Sequence, residues 1–494
     1  MRSLFNRLSD NDRGAALVLV GASLLLLMGM AAFGADLGWF YLNSSRIQRA
    51  ADAAALGGVI HLPTSEASAK TNAQSIAVQN GYTNGVNSTV VPEADTDDPS
   101  LNQTELRVTI SADVSTFFLK AFGWDTQRIV QTATAEYVPA LPLGSPENQF
   151  GDSPGCWPGA PGPSGPCNNF WASIQGHQNG RGWGDYFSSL CASWQTCTTQ
   201  TNPDYRSRGY LYGIEVPSGT SSFTLELLNP AFRPEAGGGA NPMEERFTQG
   251  SGWASSVGAP NVAFTLYEAT STPLVLSSTT PVGGSCTQTY GPSPWPGNTN
   301  VTWQTHCTVN SPDAGIYPLQ VQIPVSSTRG HSRFSIRATS PGPDPAVFAL
   351  GDMSIYTASE GVTEFFLAEV KPYHAGKTLV IELWDAGDAG GAPILQPLGP
   401  GGSTYNCEFS STNPNHNPIA PGCNKVTRFG GNQVDGCNDC FNNRWMTFRI
   451  DLPSTYTCSD CWWKMRYSYP AGFSVTDTTT WRAFIEGNPI HLVP

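Results

Sequence analysis

Charge is scarce in this chain of 494 residues, and over one stretch it is missing: residues 14–35 carry no ionisable side chain. Charged residues make up 13% of the whole, and the net charge of −13 argues against electrostatic binding to nucleic acid or to an anionic lipid surface. Cysteine is absent before Cys156, which confines any disulfide framework to the later part of the chain. Catalytic signatures are missing as well. There is no Gly-x-Ser-x-Gly elbow, no His-Glu-x-x-His pair and no Walker phosphate loop. His61, His177, His306, His331, His374, His416 and His491 stand singly, as loop and packing residues do. The common hydrolase, metalloprotease and nucleotide-binding designs therefore have no local signature here; a site could be assembled only from residues distant in sequence, and the expectation is a protein that is not an enzyme and holds no cofactor.

What is present is glycine (51), proline (39) and aromatic residues (11%), the mixture of loop-rich β domains. The uncharged run at residues 14–35 matches the roughly 20 residues that a helix needs to cross the hydrocarbon core. Arg2, Arg7 and Arg13 precede it, and Asp36 is the first ionisable residue after it. The positive-inside rule then makes residues 1–13 a cytoplasmic tail, residues 14–35 a transmembrane helix, and the remainder extracytoplasmic, in a periplasm or at the cell surface. A cleavable signal peptide has a shorter apolar core of about 7–15 residues, so an uncleaved single-pass anchor is the reading.

The helical pattern continues to Leu62 and stops at Pro63. Trp39 and Tyr41 fall at the level of an interfacial aromatic belt. Ile47, Ala50, Ala51, Ala54 and Gly58 share one small, apolar face. Two partners suit it: another helix approaching closely, as in membrane bundles, or this protein's own first soluble domain.

Several of these residues carry a family resemblance. Arg13-Gly14-Ala15 before the span, Asp36-Leu37-Gly38 after it and Ile47-Gln48-Arg49-Ala50-Ala51-Asp52-Ala53-Ala54-Ala55-Leu56 along the helix resemble the TadE/TadG-like family. Those are pseudopilin-like, membrane-anchored proteins associated with Flp (Tad) pilus assembly. The likeness covers residues 1–138. It runs on through a polar helix at 67–80, Asn80-Gly81-Tyr82, a strand at 105–114, the run Phe117-Phe118-Leu119-Lys120-Ala121-Phe122-Gly123-Trp124 and a strand at 129–138. It implies a helix and small β unit over residues 36–138, and pilus-assembly or envelope proteins as partners reached through the N-terminal helix. Two patterns known among such relatives are not met. A pilin precursor is cut after a glycine and has glutamate five residues into the mature chain, where counting from Gly14 gives Leu19. A von Willebrand A metal motif needs Asp-x-Ser-x-Ser, whereas Asp113-Val114-Ser115 and Asp352-Met353-Ser354 continue to Phe117 and Tyr356.

Beyond the small β unit the chain changes character. Pro139, Pro142, Pro146, Pro154, Pro158, Pro161, Pro163 and Pro166 mark residues 139–204 as a linker unit. Cys156, Cys167, Cys191 and Cys197 would close short loops there, with three pairings open. Its Gly182-Trp183-Gly184-Asp185-Tyr186 stretch reads as structured loop packing, with a sugar-contacting surface as the sharper alternative.

Alternating apolar residues then mark strands at 210–216, 222–228, 262–267, 317–323 and 333–338, and again at 365–370, 378–384, 445–452, 462–467 and 481–485. Ile214-Glu215-Val216, Gly219, Phe223, Leu225 and Leu227 parallel Ala368-Glu369-Val370, Gly376, Leu379, Ile381 and Leu383. This weak repeat indicates two tandem β-sandwich domains, at 205–341 and 345–494. Their turn-then-strand pattern resembles bacterial pre-peptidase C-terminal-like or carbohydrate-binding sandwiches, which is an analogy of fold. It opens a second function class, a surface-displayed adhesin or glycan-binding protein, with Trp295, Trp303, Trp462 and Trp463 as stacking candidates.

Cys437-Asn438-Asp439-Cys440 and Cys458-Ser459-Asp460-Cys461 have zinc-ribbon spacing. In an exported chain, disulfides are the favoured reading for these four cysteines and for Cys407, Cys423, Cys286 and Cys307. Acidic loops at Trp384-Asp385-Ala386-Gly387-Asp388 and Glu93-Ala94-Asp95-Thr96-Asp97-Asp98 raise calcium as an alternative to ordinary solvated turns, but neither fits the EF-hand pattern.

Overall fold

With no proline before Pro63 and an alanine-rich second half, nothing interrupts the first helix, and α1 runs unbroken over Asp12–Val59. The structure is a computed structural model. It describes residues 12–156, 163–176, 180–191, 201–228, 233–234, 244–245, 248–249, 252–253, 261–290, 302–324, 331–385, 394–412, 423, 425–426, 441, 443–468 and 474–493. Arg2, Arg7, Trp295, Cys197, Cys437, Cys440, His177 and His416 lie outside the described residues, as do the side chains of Arg13 and His331. The chain divides into two compact units, Met1–Val138 with Asn488–Pro494, and Pro139–Gly487.

In the first unit α2 (Glu66–Gln79) follows α1 after a short turn. Its N-terminus is capped by Ser65, whose hydroxyl accepts the Ser68 N–H at 3.3 Å. Strands β1 (Ser88–Glu93), β2 (Glu105–Ser115), β3 (Thr126–Tyr137) and β4 (Ile490–Val493) form one antiparallel sheet in that order. Alternation along β2 turns Leu106, Val108 and Ile110 to one face. They close a core with Ile47, Ala50, Ala51, Ala54, Ala55 and Val59 of α1 and with Ala69, Ala73 and Ala77 of α2.

The alanines at four-residue spacing on α2 let the two helices approach closely, and Gly58 sits against the backbone of α2. A Cβ there would lie 2.5 Å from Leu106 Cδ2, 2.8 Å from the Ala69 carbonyl oxygen and 2.9 Å from Ala73 Cβ. Side-chain hydrogen bonds also join α1 to β3, with Gln131 Nε2 donating to Ser44 Oγ at 2.7 Å and Gln48 Nε2 to the Thr132 carbonyl at 3.2 Å.

The strand β4 is drawn from the far end of the sequence. Ile490 pairs with Tyr137 and Leu492 with Ala135, and the Val138 N–H donates to the Pro489 carbonyl at 2.7 Å. The second unit is thus inserted between β3 and β4. Residues 490–493, grouped by sequence order with the second sandwich, belong to the first unit's sheet.

The second unit is built from two large antiparallel sheets. In the first, Thr287–Tyr290, Val262–Leu266, Gly315–Gln322 and Tyr210–Val216 lie in order on one side, followed centrally by Ala346–Leu350 and Pro142–Leu143. Val362–Glu369, Trp462–Ser468, Ile394–Leu398 and Lys425–Val426 continue on the other side. The second sheet runs Gln304–Asn310, Ser222–Leu228, His331–Thr339, then Trp171–Gln175 and Met353–Glu360, then Ser474–Ile485, Thr378–Asp385, Arg444–Asp451 and Glu408–Ser411. Rings meet between the sheets. Phe223 lies 5.4 Å from Tyr317, Phe264 lies 5.3 Å from Phe334, and Phe365 lies 5.5 Å from Trp481.

Read from the centre outward, the two halves repeat each other. Tyr210–Val216 and Val362–Glu369 hold equivalent places, as do Ser222–Leu228 and Thr378–Asp385, and the later strands follow in the same order. The turns of the sequence repeat correspond too, since Gly219 and Gly376 take φ of +81° and +78°, a region that favours glycine. Both halves share their sheets. Residues 139–204, expected to be a linker unit, supply Pro142–Leu143, Gln149–Phe150 and Trp171–Gln175, two of them at the centre where the halves join. Prolines break regular structure locally, but the short segments between them still pair.

Candidate functional site

From Leu17 to Phe33 every large apolar side chain on α1 is more than half exposed, and the helix is long and apolar enough to cross a membrane. The first charged group after this run, Asp36, is buried. Its Oδ1 accepts the Phe117 N–H at 2.7 Å, and its Oδ2 accepts the N–H groups of Phe118 at 2.9 Å and Leu119 at 2.7 Å. These donors open a 3-10 turn, Leu119–Phe122, which ends at Gly123 in the left-handed region, φ +81°. The Trp39 ring, one turn beyond Asp36, meets the Phe117 ring edge-on at 5.3 Å, and the Arg46 guanidinium lies 5.9 Å from the Trp39 centroid. The helix therefore holds the 117–124 loop at the point where its apolar run ends. Asp36 and that loop were quoted in the sequence as separate pieces of a family pattern; their contact spans 81 residues and has no local signal.

The small-residue face lies further along α1. Ile47, Ala50, Ala51, Ala54 and Gly58 are all buried, against α2 and the sheet of the same unit. Of the two partners that suit this face, the one in place is the protein's own domain.

In the second unit the described disulfides join Cys156 to Cys167, Cys286 to Cys307, Cys407 to Cys423 and Cys458 to Cys461, and Cys191 is also disulfide-bonded. Cys458 and Cys461 thus bond to each other, and their sulfurs are not thiolates. Trp462 and Trp463 are buried, and Trp303 is half-buried beneath the Arg337 guanidinium, 4.4 Å from the ring centroid.

Carboxylates of the acidic loop at 93–98 are engaged by cations. Lys70 Nζ lies 2.7 Å from Asp97, and Arg107 bonds to Asp98. In the other acidic loop, residues 386–388 and the Asp385 side chain lie outside the described residues. Among the described residues, no three His, Cys, Asp or Glu side chains are grouped to hold a metal.

A buried polar cluster escaped sequence reasoning because its members lie far apart in the chain. Tyr210 Oη donates to Asp185 Oδ1 at 2.6 Å, the Phe187 N–H donates to the same oxygen at 3.1 Å, and the Gln175 N–H donates to Oδ2 at 3.2 Å. Asp352, from the discarded metal motif, pairs with Arg206, whose guanidinium lies 3.7 Å from the Phe187 centroid. Burial pushes the Asp185 carboxyl up to about 6 against the pull of its hydrogen bonds, and Asp352 adds to the rise.

A folded carboxyl that keeps a proton the unfolded chain has released makes stability fall as pH rises from 3.8 to about 6. Wild-type protein should therefore lose stability relative to Asp185→Asn across that window, by up to about 1.4 kcal/mol per pH unit, and the gap should level off above it. Thermal unfolding of both proteins at about pH 5 and about pH 7 checks this. The paired comparison cancels the contributions of buried His306 and His374, held down to about 4 and about 3 by burial, with Lys377 also lowering His374.

A helix long and apolar enough to cross a membrane, whose second half forms the spine of a small α+β unit, defines a membrane-anchored protein with a β-rich body. Residues 14–69 of the chain match the Flp pilus-assembly TadE/G-like family. The match covers the apolar run, the Asp36 exit, the small-residue face and the start of α2, while the sheet of the first unit and the whole second unit lie beyond it. No curated protein and no solved structure matches the chain.

Proposed function

We propose that the chain is a structural or assembly component of a Flp/Tad-type pilus system, held by one membrane span with its N-terminus in the cytoplasm and its two units outside. The observation that carries this reading is the position of the family match, which falls on the span and on the helix that leaves it. The arginines at 2, 7 and 13 support the orientation, and the disulfides suit an oxidising compartment. The role is non-catalytic, in keeping with a sequence that lacks the common catalytic motifs.

Full-length protein extracted from its native membrane should co-purify with the membrane components of pilus assembly, and recovery of none of them would overturn the assembly role. Orientation is tested separately. Replacing Arg2, Arg7 and Arg13 with neutral residues should reduce the fraction of chains whose second unit is open to added protease in spheroplasts, and an unchanged fraction would count against the charge argument.

A further inference from the structure

We propose that the loop from Phe117 to Trp124 is a second membrane contact, a short apolar wedge that enters the lipid interface beside the point where α1 leaves the hydrocarbon core. Three observations converge on lipid as its occupant.

The first is composition and exposure. Phe117 is 60% exposed, Phe118 51%, Phe122 86% and Trp124 57%, and Lys120 is the only charged side chain from Thr116 to Trp124. Aromatic residues around one lysine suit the boundary between headgroups and acyl chains, where rings sit at the interface and an ammonium reaches back to phosphate. Water alone is a poor environment for such a patch.

The second is position. Asp36 ends the uncharged run of α1, and its carboxylate holds the N–H groups of Phe117, Phe118 and Leu119. A helix that places residues 14–35 in the hydrocarbon therefore places this loop at its edge.

The third is backbone satisfaction. A loop entering a medium poor in water must not carry free amide donors. Beyond the three bound by Asp36, the Thr116 N–H donates to the Asp125 carbonyl at 3.0 Å, Ala121 to Phe118 at 3.1 Å, Gly123 to Lys120 at 3.0 Å and Trp124 to Leu119 at 3.2 Å. Seven of the nine amides from Thr116 to Trp124 thus have acceptors, which lowers the cost of a low-dielectric site, and this apolar insertion needs no attraction between the acidic chain and anionic lipid.

Full-length protein reconstituted into phosphatidylcholine vesicles tests the proposal. No described cysteine is free, so a thiol introduced as Phe122→Cys or Trp124→Cys takes a nitroxide label. Thr64→Cys serves as the aqueous reference, because α1 carries Val59 about 35 Å beyond Asp36 before Thr64 is reached. Labels at 122 and 124 should collide preferentially with oxygen over a water-soluble nickel chelate, at a depth of about 5–10 Å inside the headgroup boundary, while Thr64→Cys should show the reverse. Two labelled positions guard against one variant failing to fold. Nickel accessibility at 122 and 124 equal to that at 64 would overturn the proposal. So would protection seen only in native membranes and never in pure lipid, which would assign the wedge to a protein partner.

Discussion

Gly58→Ala is expected to destabilise the first unit, although the same exchange on an open helix stabilises it by about 1 kcal/mol. The added Cβ meets the Ala69 carbonyl oxygen and Ala73 Cβ on α2 and Leu106 on β2, all within 3 Å. A backbone oxygen cannot rotate away, so α2 as a whole must shift, and overpacking of this kind costs about 1–3 kcal/mol. Clash outweighs propensity, leaving a net loss of up to about 2 kcal/mol.

Gly57→Ala supplies the contrast. Its Cβ would meet Ile76 Cδ1 at 2.0 Å, the far end of a flexible side chain that can turn aside, so the loss should be smaller. Ala51→Leu and Ala54→Leu, at fully buried positions, should be more damaging than either glycine exchange. Hydrogen exchange at Leu106, Val108 and Ile110 in lipid nanodiscs reports the effect on this unit alone. Equal protection in all four variants would show that the α1–α2 contact is looser than its geometry.

Asp36→Ala should release the 117–124 loop. Two carboxylate oxygens satisfy three amides, and an alanine leaves all three without an acceptor from α1. Exchange of the Phe117, Phe118 and Leu119 amides should accelerate by roughly one to two orders of magnitude, the ordinary worth of a charge-assisted hydrogen bond. Asp36→Asn should fall between, because one amide oxygen replaces two anionic acceptors. The span itself should still insert, since removing a charge next to an apolar run does not weaken it. Unchanged amide exchange in Asp36→Ala would mean that other groups hold the loop.

These two sites were legible to different degrees. The small face at Ile47, Ala50, Ala51, Ala54 and Gly58 follows from helical spacing, a local property, so its membership could be read directly. Which surface it meets is a tertiary matter, and both candidates stood equal until β2 and α2 were seen against it. The strands of the second unit were readable where one face is buried, as at Ser222–Leu228 and Val262–Leu266. Trp171–Gln175 was missed because it is buried along its whole length and includes Ser173 and Gln175, so neither alternation nor apolarity marks it. In the sequence the repeat shows in one strand–turn–strand stretch of each half, around Gly219 and Gly376. Its extension to both sheets emerges from strand order.

Pairing of β4 with β3 left no trace in local pattern, since a four-residue strand, Ile490–Val493, reaches across the whole inserted unit to find its neighbour. That arrangement bears on shedding from the membrane. A protease that cuts only after Gly487 frees nothing, because the body remains covalently joined to its anchor through Val138. One that cuts only after Val138 leaves the body attached through β4, a non-covalent latch of four residues backed by the Ile490–Tyr137 and Leu492–Ala135 pairs. Neither single cut removes both the covalent joint at Val138 and the pairing of β4 with β3.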